Sequence, residues 1–327
     1  MTSGEDSLIA RYFRPLATDP GAFGLGDDAA VLKALGHDIV VTTDAIVEGV
    51  HFLSGDPPET LARKALRVNL SDLAAKGATP AGFVLTLALR SADDAWLASF
   101  ARGLGEDIGL FGCPLLGGDT VSTPGPLMVS ITAFGRVPTG KIVRRSNARP
   151  GDRIVVTGTI GDAALGLDIL RGGAVATAMA DDVAAKEMLV GRYRVPQPRN
   201  ALAKAVRDYA HAAMDVSDGL AGDLAKLCEA SGVSAVIDAQ SIPLSAAAAV
   251  LLARGTVGIE ALVAGGDDYE ILGTVPEAAF EAFAQAAGLT GAAVTSIGTV
   301  IAGTSPPRFL DGQGRDIALL RLSYSHF

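Results

Sequence analysis

Apolar positions along the chain recur with two periods, and the switches between them lay out its elements. Ile39-Val40-Val41 is a β-branched run that leads into Thr42-Thr43-Asp44, with His51 a little further on. Asp is depleted inside strands, so Asp44 is predicted to close a strand where the chain leaves its sheet. Residues 57–77 read as the clearest helix of the N-terminal half. Leu66, Leu70, Leu73 and Gly77 fall at i, i+4, i+7 and i+11 and form its buried stripe. Asn69 and Asp72 share a different face, which is either a solvated side or a working one. Strands are predicted over 81–89 and 127–137, with a helix over 93–110. Between them the short run Pro114-Leu115-Leu116 delivers Gly117-Gly118-Asp119-Thr120.

A polar, Pro/Gly-rich segment, 146–152, separates two strand-like runs and is read as the domain boundary. Beyond it a strand is predicted over 152–158, followed by helices over 162–170, 182–193 and 199–210. Met214-Asp215-Val216-Ser217-Asp218-Gly219 then precedes a helix through Leu224, Leu227 and Cys228 that stops near Gly232, and 233–237 is a strand. A second Gly/Asp loop, Gly265-Gly266-Asp267-Asp268-Tyr269-Glu270, has apolar flanks. A short helix is expected over 3–17, and no short-period repeat is present. The pattern is that of an α/β protein of two domains, 1–148 and 149–327.

Composition narrows the function. Of 327 residues 49% are hydrophobic and 19% charged, ample for packed cores. A net charge of −9 argues against a nucleic-acid surface, which needs clustered Lys and Arg, but an acidic protein still binds phosphates where divalent cations bridge the two. Cys113 and Cys228 are the only cysteines, too few and too far apart for a disulfide framework or a thiolate zinc site, which suits a reducing cytoplasm. No apolar run approaches the ~18 residues of a membrane span, and the first residues lack signal-peptide character.

Two phosphate-binding motifs match only formally. Gly24-Leu25-Gly26-Asp27-Asp28-Ala29 fits the dinucleotide fingerprint, but no strand precedes it and two acids would meet the pyrophosphate. Gly135 to Lys141 imitates a P-loop, yet Ile142 replaces the required hydroxyl and Pro138 lies inside it. Asp215-Val216-Ser217-Asp218-Gly219 is a fragment of an EF-hand loop without its remaining ligands. What recurs is an acid at the end of an apolar run or beside glycines: Asp27, Asp44, Asp72, Asp119, Asp215, Asp218, Asp267. Singly, each is a turn or cap residue. Convergent, they would repel by about 4 kcal/mol per pair at ~4 Å and an effective dielectric near 20, and Mg²⁺ is the natural bridge. His51, Arg144 and Arg145 have bland readings too, as a core or surface histidine and a solvated linker.

Seven blocks, in order, resemble the thiamine-monophosphate kinase family: Gly26-Asp27-Asp28-Ala29-Ala30, Thr42-Thr43-Asp44 with Glu48-Gly49-Val50-His51-Phe52, Val68-Asn69-Leu70-Ser71-Asp72-Leu73, Leu116-Gly117-Gly118-Asp119-Thr120, Arg145-Ser146 with Pro150-Gly151-Asp152, Asp215 to Leu220, and Gly265 to Glu270. The resemblance implies the two-domain α/β (α+β) fold shared with aminoimidazole ribonucleotide synthetase, whose N-terminal mixed-sheet domain dimerises and whose C-terminal α/β domain closes the site. It implies transfer of the ATP γ-phosphoryl to thiamine monophosphate in a homodimer. By position, Asp27, Thr42, Thr43, Asp44, Asp72, Asp119, Asp215 and Asp218 would hold several Mg²⁺ ions. Gly118, Asp119, Arg145 and Ser217 would contact ATP. His51, Asp267 and a C-terminal aromatic, Tyr324 ahead of Phe309 or Phe327, would contact the acceptor.

Asp267 stands where many members have Glu, and Lys76 where an apolar residue is common. A selenophosphate synthetase would carry a reactive residue near its N-terminus and the maturation dehydratase a C-terminal Cys; this chain has neither. Another superfamily ligase, or a metal-binding homologue without turnover, is the alternative.

Overall fold

The computed structural model describes residues 23, 26–27, 30–34, 36–91 and 93–323; the expected helix over 3–17 and Tyr324 lie outside them. The N-terminal half is a five-stranded sheet: β1 (Ala30–Ala34), β2 (His37–Val47), β3 (Thr79–Leu89), β4 (Leu115–Ser122) and β5 (Met128–Pro138), in the order β1-β2-β5-β3-β4. All its pairings are antiparallel except β3 with β4. The β3–β4 crossover runs through α2 (Asp94–Phe111), whose first turn is capped by Asp93 accepting from the N–H groups of Ala95 and Trp96.

Helix α1 (Pro58–Ala75) lies across this sheet. Val40, Ile46, Phe83 and Ile131 from the strands meet Leu61, Leu66, Leu70 and Leu73 in the first core. The apolar stripe is therefore where the pattern puts it. The rest of the helix is not the solvated face a surface helix would have, because the C-terminal domain covers it. Asn69 is fully buried, and Ala74 and Ala75 join a core with Val155, Val206, Ile271 and Phe283.

The C-terminal half holds a six-stranded sheet, with β6 (Arg153–Thr157), β7 (Ala212–Asp215), β8 (Ser234–Asp238), β9 (Ile271–Val275), β10 (Val294–Ile301) and β11 (Arg308–Leu310) in the order β11-β8-β10-β6-β9-β7. Its helices are α3 (Asp162–Leu170), α4 (Ala174–Ala178), α5 (Val183–Arg194), α6 (Ala203–Tyr209), α7 (Leu220–Ser231), α8 (Ala246–Ala253), α9 (Ile259–Val263) and α10 (Phe280–Gly288). Helix α7 packs Leu220, Leu224 and Leu227 against Ile154, Met214 and Leu272, and ends at Gly232 in the left-handed conformation. Phe309, one aromatic considered for the acceptor, is buried in this same core. Both cysteines are buried thiols, pushed up by that burial to about 11 for Cys113 and about 12 for Cys228.

The predicted strand ends need correction. Asp44 and Asp119 sit within β2 and β4, not at their exits, and of these three acids Asp215 alone closes its strand. The ladder of β2 continues through Asp44, opposite Ile131, because the carboxylate there opens into a cleft rather than into packed core.

Charged residues tie the halves together. Asp107, fully buried on α2, accepts from Arg67 Nε (2.6 Å) and Nη2 (2.8 Å) and from Arg63 Nε (3.2 Å). Arg67 Nη1 donates to the carbonyl of Pro196, just past α5 (2.9 Å). Removing one partner leaves an uncompensated buried charge, so Asp107→Ala is expected to cost about 3–5 kcal/mol in urea unfolding. A loss under about 1 kcal/mol would show that the arginines find other partners.

Candidate functional site

Between the two sheets lies a cleft of about 1170 Å³, larger than the roughly 300–1,000 Å³ usual for one small ligand. Asp27, Thr43, Asp44, His51, Asp72, Arg145, Asp215, Ser217, Asp218 and Asp267 all line it. Six segments far apart in sequence thus bring most of the candidate residues to one place. A second cavity of about 700 Å³ beside α4, α5 and α8, walled largely by alanines and methionines, contains none of them.

The floor of the cleft is anionic. Asp44 comes from β2, Asp72 from α1 and Asp215 from β7. Burial, then the nearby Asp218 charge, pushes the Asp44 carboxyl up to about 6. Burial also lifts Asp215 to about 6, with Asp223 and Asp44 adding to it against a hydrogen bond from Ser71. Asp72 is raised well above the usual carboxylate range by burial and by Asp215 and Asp44, although the Thr42 hydroxyl donates to it. These carboxyls feel one another, which answers whether the acids meet.

Thr42 and Thr43 do different things, because neighbours in a strand face opposite sides. Thr42 is buried on the α1 side of β2, against Asp72. The Thr43 hydroxyl instead donates to the Ile131 carbonyl (3.1 Å) and accepts from Thr132 (2.9 Å) on β5. Asp27 bonds Lys76 Nζ (2.7 Å) and accepts the Arg145 N–H (3.3 Å). Lys76 is fully buried, donates to the Ala213 carbonyl (3.0 Å) and draws down both Asp72 and Asp215.

Gly118 and Asp119 stand apart. The register runs Asp44–Ile131–Leu85–Gly118 across β2, β5, β3 and β4, three strand spacings or roughly 14 Å. Every residue of β4 is exposed. Glycine at 118 is a packing requirement, since a Cβ there would stand 1.9 Å from the Leu85 carbonyl oxygen.

On the other side, His51 Nδ1 accepts the Val47 N–H (3.0 Å). The ring proton of the neutral imidazole then resides on Nε2, making that atom a donor. The backbone of Asp267 is left-handed (φ 72°), held by its N–H to the Ser217 carbonyl (2.8 Å).

Several working residues escape a motif reading. Asp223 Oδ2 accepts from the backbone N–H groups of Ser217 (3.0 Å), Asp218 (3.0 Å) and Gly219 (3.2 Å), and so sets the loop before α7. Lys226 bridges Asp218 (2.5 Å) and Asp223 (3.2 Å). Glu270, fully buried, gathers Arg192, Arg199 and Thr157. The available signal was spacing: Asp223 and Lys226 fall within two turns of the Asp-Gly pair that opens α7.

Among the described residues no three acids, histidines or cysteines stand close enough to hold a metal ion by themselves. Mg²⁺ does not need such a group, since it takes one or two carboxylates and completes its shell with water and phosphate. Carboxylates crowded until their protons are held to about pH 6 fit such an ion.

Comparison with known proteins agrees with this geometry. Residues 26–137 match the family described as AIR synthase related protein, N-terminal domain, and 149–308 its C-terminal domain. The thiamine-monophosphate kinase of Caulobacter vibrioides is 45% identical over 97% of this chain and 89% of its own length. The chain belongs to the thiamine-monophosphate kinase family. The solved structure of the kinase from Stenotrophomonas maltophilia K279a, 38% identical, has a TM-score of 0.79 and covers 97% of this chain and 99% of that one. AaThiL complexed with AMPPCP and TMP, 29% identical, reaches 0.81 over 94% and 97%. No helix among the described residues is long and apolar enough to cross a membrane.

The acid cluster predicts a pH signature. The Asp44 and Asp215 carboxyls rise from 3.8 to about 6, so folding takes up protons between those values. Their cost to the metal-free fold is absent below about pH 4 and complete above pH 6. Metal-free protein should lose melting temperature from pH 5 to 7.5, and Asp44→Asn should flatten that slope while raising the pH 7.5 value by a few degrees. An unchanged slope would remove Asp44 from the cluster.

Proposed function

We propose that the cleft transfers the γ-phosphoryl group of ATP directly to the phosphate of thiamine monophosphate, giving thiamine diphosphate and ADP, in a cytoplasmic, Mg²⁺-dependent homodimer. The observation that carries this reading is the anionic floor of Asp44, Asp72 and Asp215 in a cleft roomy enough for two ligands. The acceptor is a phosphate monoester with a second pKa near 6, already a nucleophilic oxyanion at neutral pH, so no general base is required. The protein's task is to bring two polyanions into line.

Asp27, Asp44, Asp72, Asp215 and Asp218 would hold the Mg²⁺ ions, with Thr42 orienting Asp72 and Thr43 and Asp119 completing the set. Bound Mg²⁺ supplies neutralisation of the phosphate charge where the two ligands meet. Arg145 adds a fixed cation, and Ser217 meets ATP on the loop that Asp223 shapes. His51 offers Nε2–H to an acceptor oxygen. Asp267 and Tyr324 suit the thiazolium cation, one by charge and the other by its ring face.

The homodimer contact would lie on the N-terminal sheet. There β4 exposes Leu115, Leu116 and Val121, and a second copy would bring Gly118 and Asp119 into a shared site. Leu116→Glu is expected to halve the mass measured by light scattering; a variant that stays dimeric moves the contact elsewhere.

The reaction is tested by ADP release. Turnover should require thiamine monophosphate and Mg²⁺, stop with excess EDTA, and be absent with thiamine itself. Asp72→Asn should lower kcat by about 10²-fold or more with the circular dichroism spectrum retained. Turnover of thiamine in place of its monophosphate would sink the reading, and a near-normal Asp72→Asn would remove that residue from the metal set.

A further inference from the structure

Helix α1 carries a lysine that no phosphoryl-transfer role explains. The Lys64 side chain is only 2% exposed. Burying an ammonium is costly unless its donors are met, and here each is. Nζ donates to the His51 carbonyl (2.9 Å) and to Asp267 Oδ2 (2.9 Å), and sits 3.8 Å from the centre of the Tyr193 ring. Tyr193 Oη donates to the same His51 carbonyl (3.2 Å). One cation thus joins a loop of the N-terminal domain to the Gly265–Glu270 loop and to α5 of the C-terminal domain. Nothing else among the described residues bonds the Asp267 carboxylate, so Lys64 decides where it points.

Lys64, Val68 and Asp72 follow at i, i+4 and i+8 on one side of α1, and the last two line the cleft. Eight residues of helix span about 12 Å, roughly the reach of a small phosphorylated ligand. The same rigid element that presents Asp72 to the phosphates holds, two turns earlier, the anchor of the opposite end.

We infer that Lys64 is a positioning residue for the acceptor: it aims Asp267 and His51 and spaces them from Asp72 through α1. The inference rests on the reading of His51 and Asp267 as acceptor contacts. A buried cation that served stability alone would affect both substrates alike. A positioning role affects only the acceptor, and acts through Asp267.

Initial rates with each substrate varied, for the wild-type chain and for Lys64→Met, Asp267→Asn and the double variant, separate these roles. Lys64→Met is expected to raise the KM for thiamine monophosphate about tenfold or more and to leave that for ATP within about twofold. The double variant should be impaired by less than the product of the two singles, because each substitution removes the other's unpaired charge. Equal rises in both KM values, or multiplicative singles, overturn the inference. So does a normal KM in Lys64→Met beside an impaired Asp267→Asn, an outcome that spares the acceptor reading. An unimpaired Asp267→Asn overturns both. Should Lys64→Met not fold, Tyr193→Phe keeps the ring under the ammonium and removes only the second donor to His51. A rise of about threefold in the acceptor KM alone then supports the inference, and an unchanged KM overturns it.

Discussion

Everything in this molecule is arranged around the burial of a charged helix. Helix α1 lies between two sheets, so Lys64 and Arg67 within it, and Lys76 just beyond its end, lie at 2% exposure or less. In a medium of low dielectric each charge must have a partner, and the partners come from elsewhere: Asp107 from α2, Asp267 from the C-terminal loop, Asp27 from the segment before β1. The relation of the two domains is thereby set by ion pairs as much as by apolar packing. The acids of the cleft are the remainder of this accounting, negative charge that protein cations only partly match.

That imbalance is confined to one place. Glu270 and Asp107, equally buried, are each surrounded by arginines, and the chain shows it can neutralise a carboxylate completely. At Asp44 and Asp215 it does not, and their protons are held accordingly. A cluster left under-neutralised beside others that are fully paired is a position reserved for something from outside the chain.

The elements were legible wherever one face packs on a core. The α1 stripe of Leu66, Leu70 and Leu73 reads directly from spacing, as does the end of α7 at Gly232. Asp44 and Asp119 misled, since a propensity rule ends a strand at an acid, whereas a ladder pairing with β5 or β3 carries the strand past it. The clustering of Asp27, Asp44, Asp72 and Asp215 was legible only through the resemblance, because no local rule says that these segments converge. Lys64 was not legible at all. A lysine in a helix is ordinarily a solvated residue, and only the second domain's position turns it into a buried one.

The loop before α7 has a consequence of its own. In many nucleotide-binding folds the amide groups at such a helix start form a bare cradle into which a phosphate settles. Here Ser217, Asp218 and Gly219 already direct their amides at Asp223, a carboxylate built into the chain. The cradle comes with its own anion. These three amides are therefore already satisfied from within the chain, and an incoming phosphate must be met by other groups of the cleft.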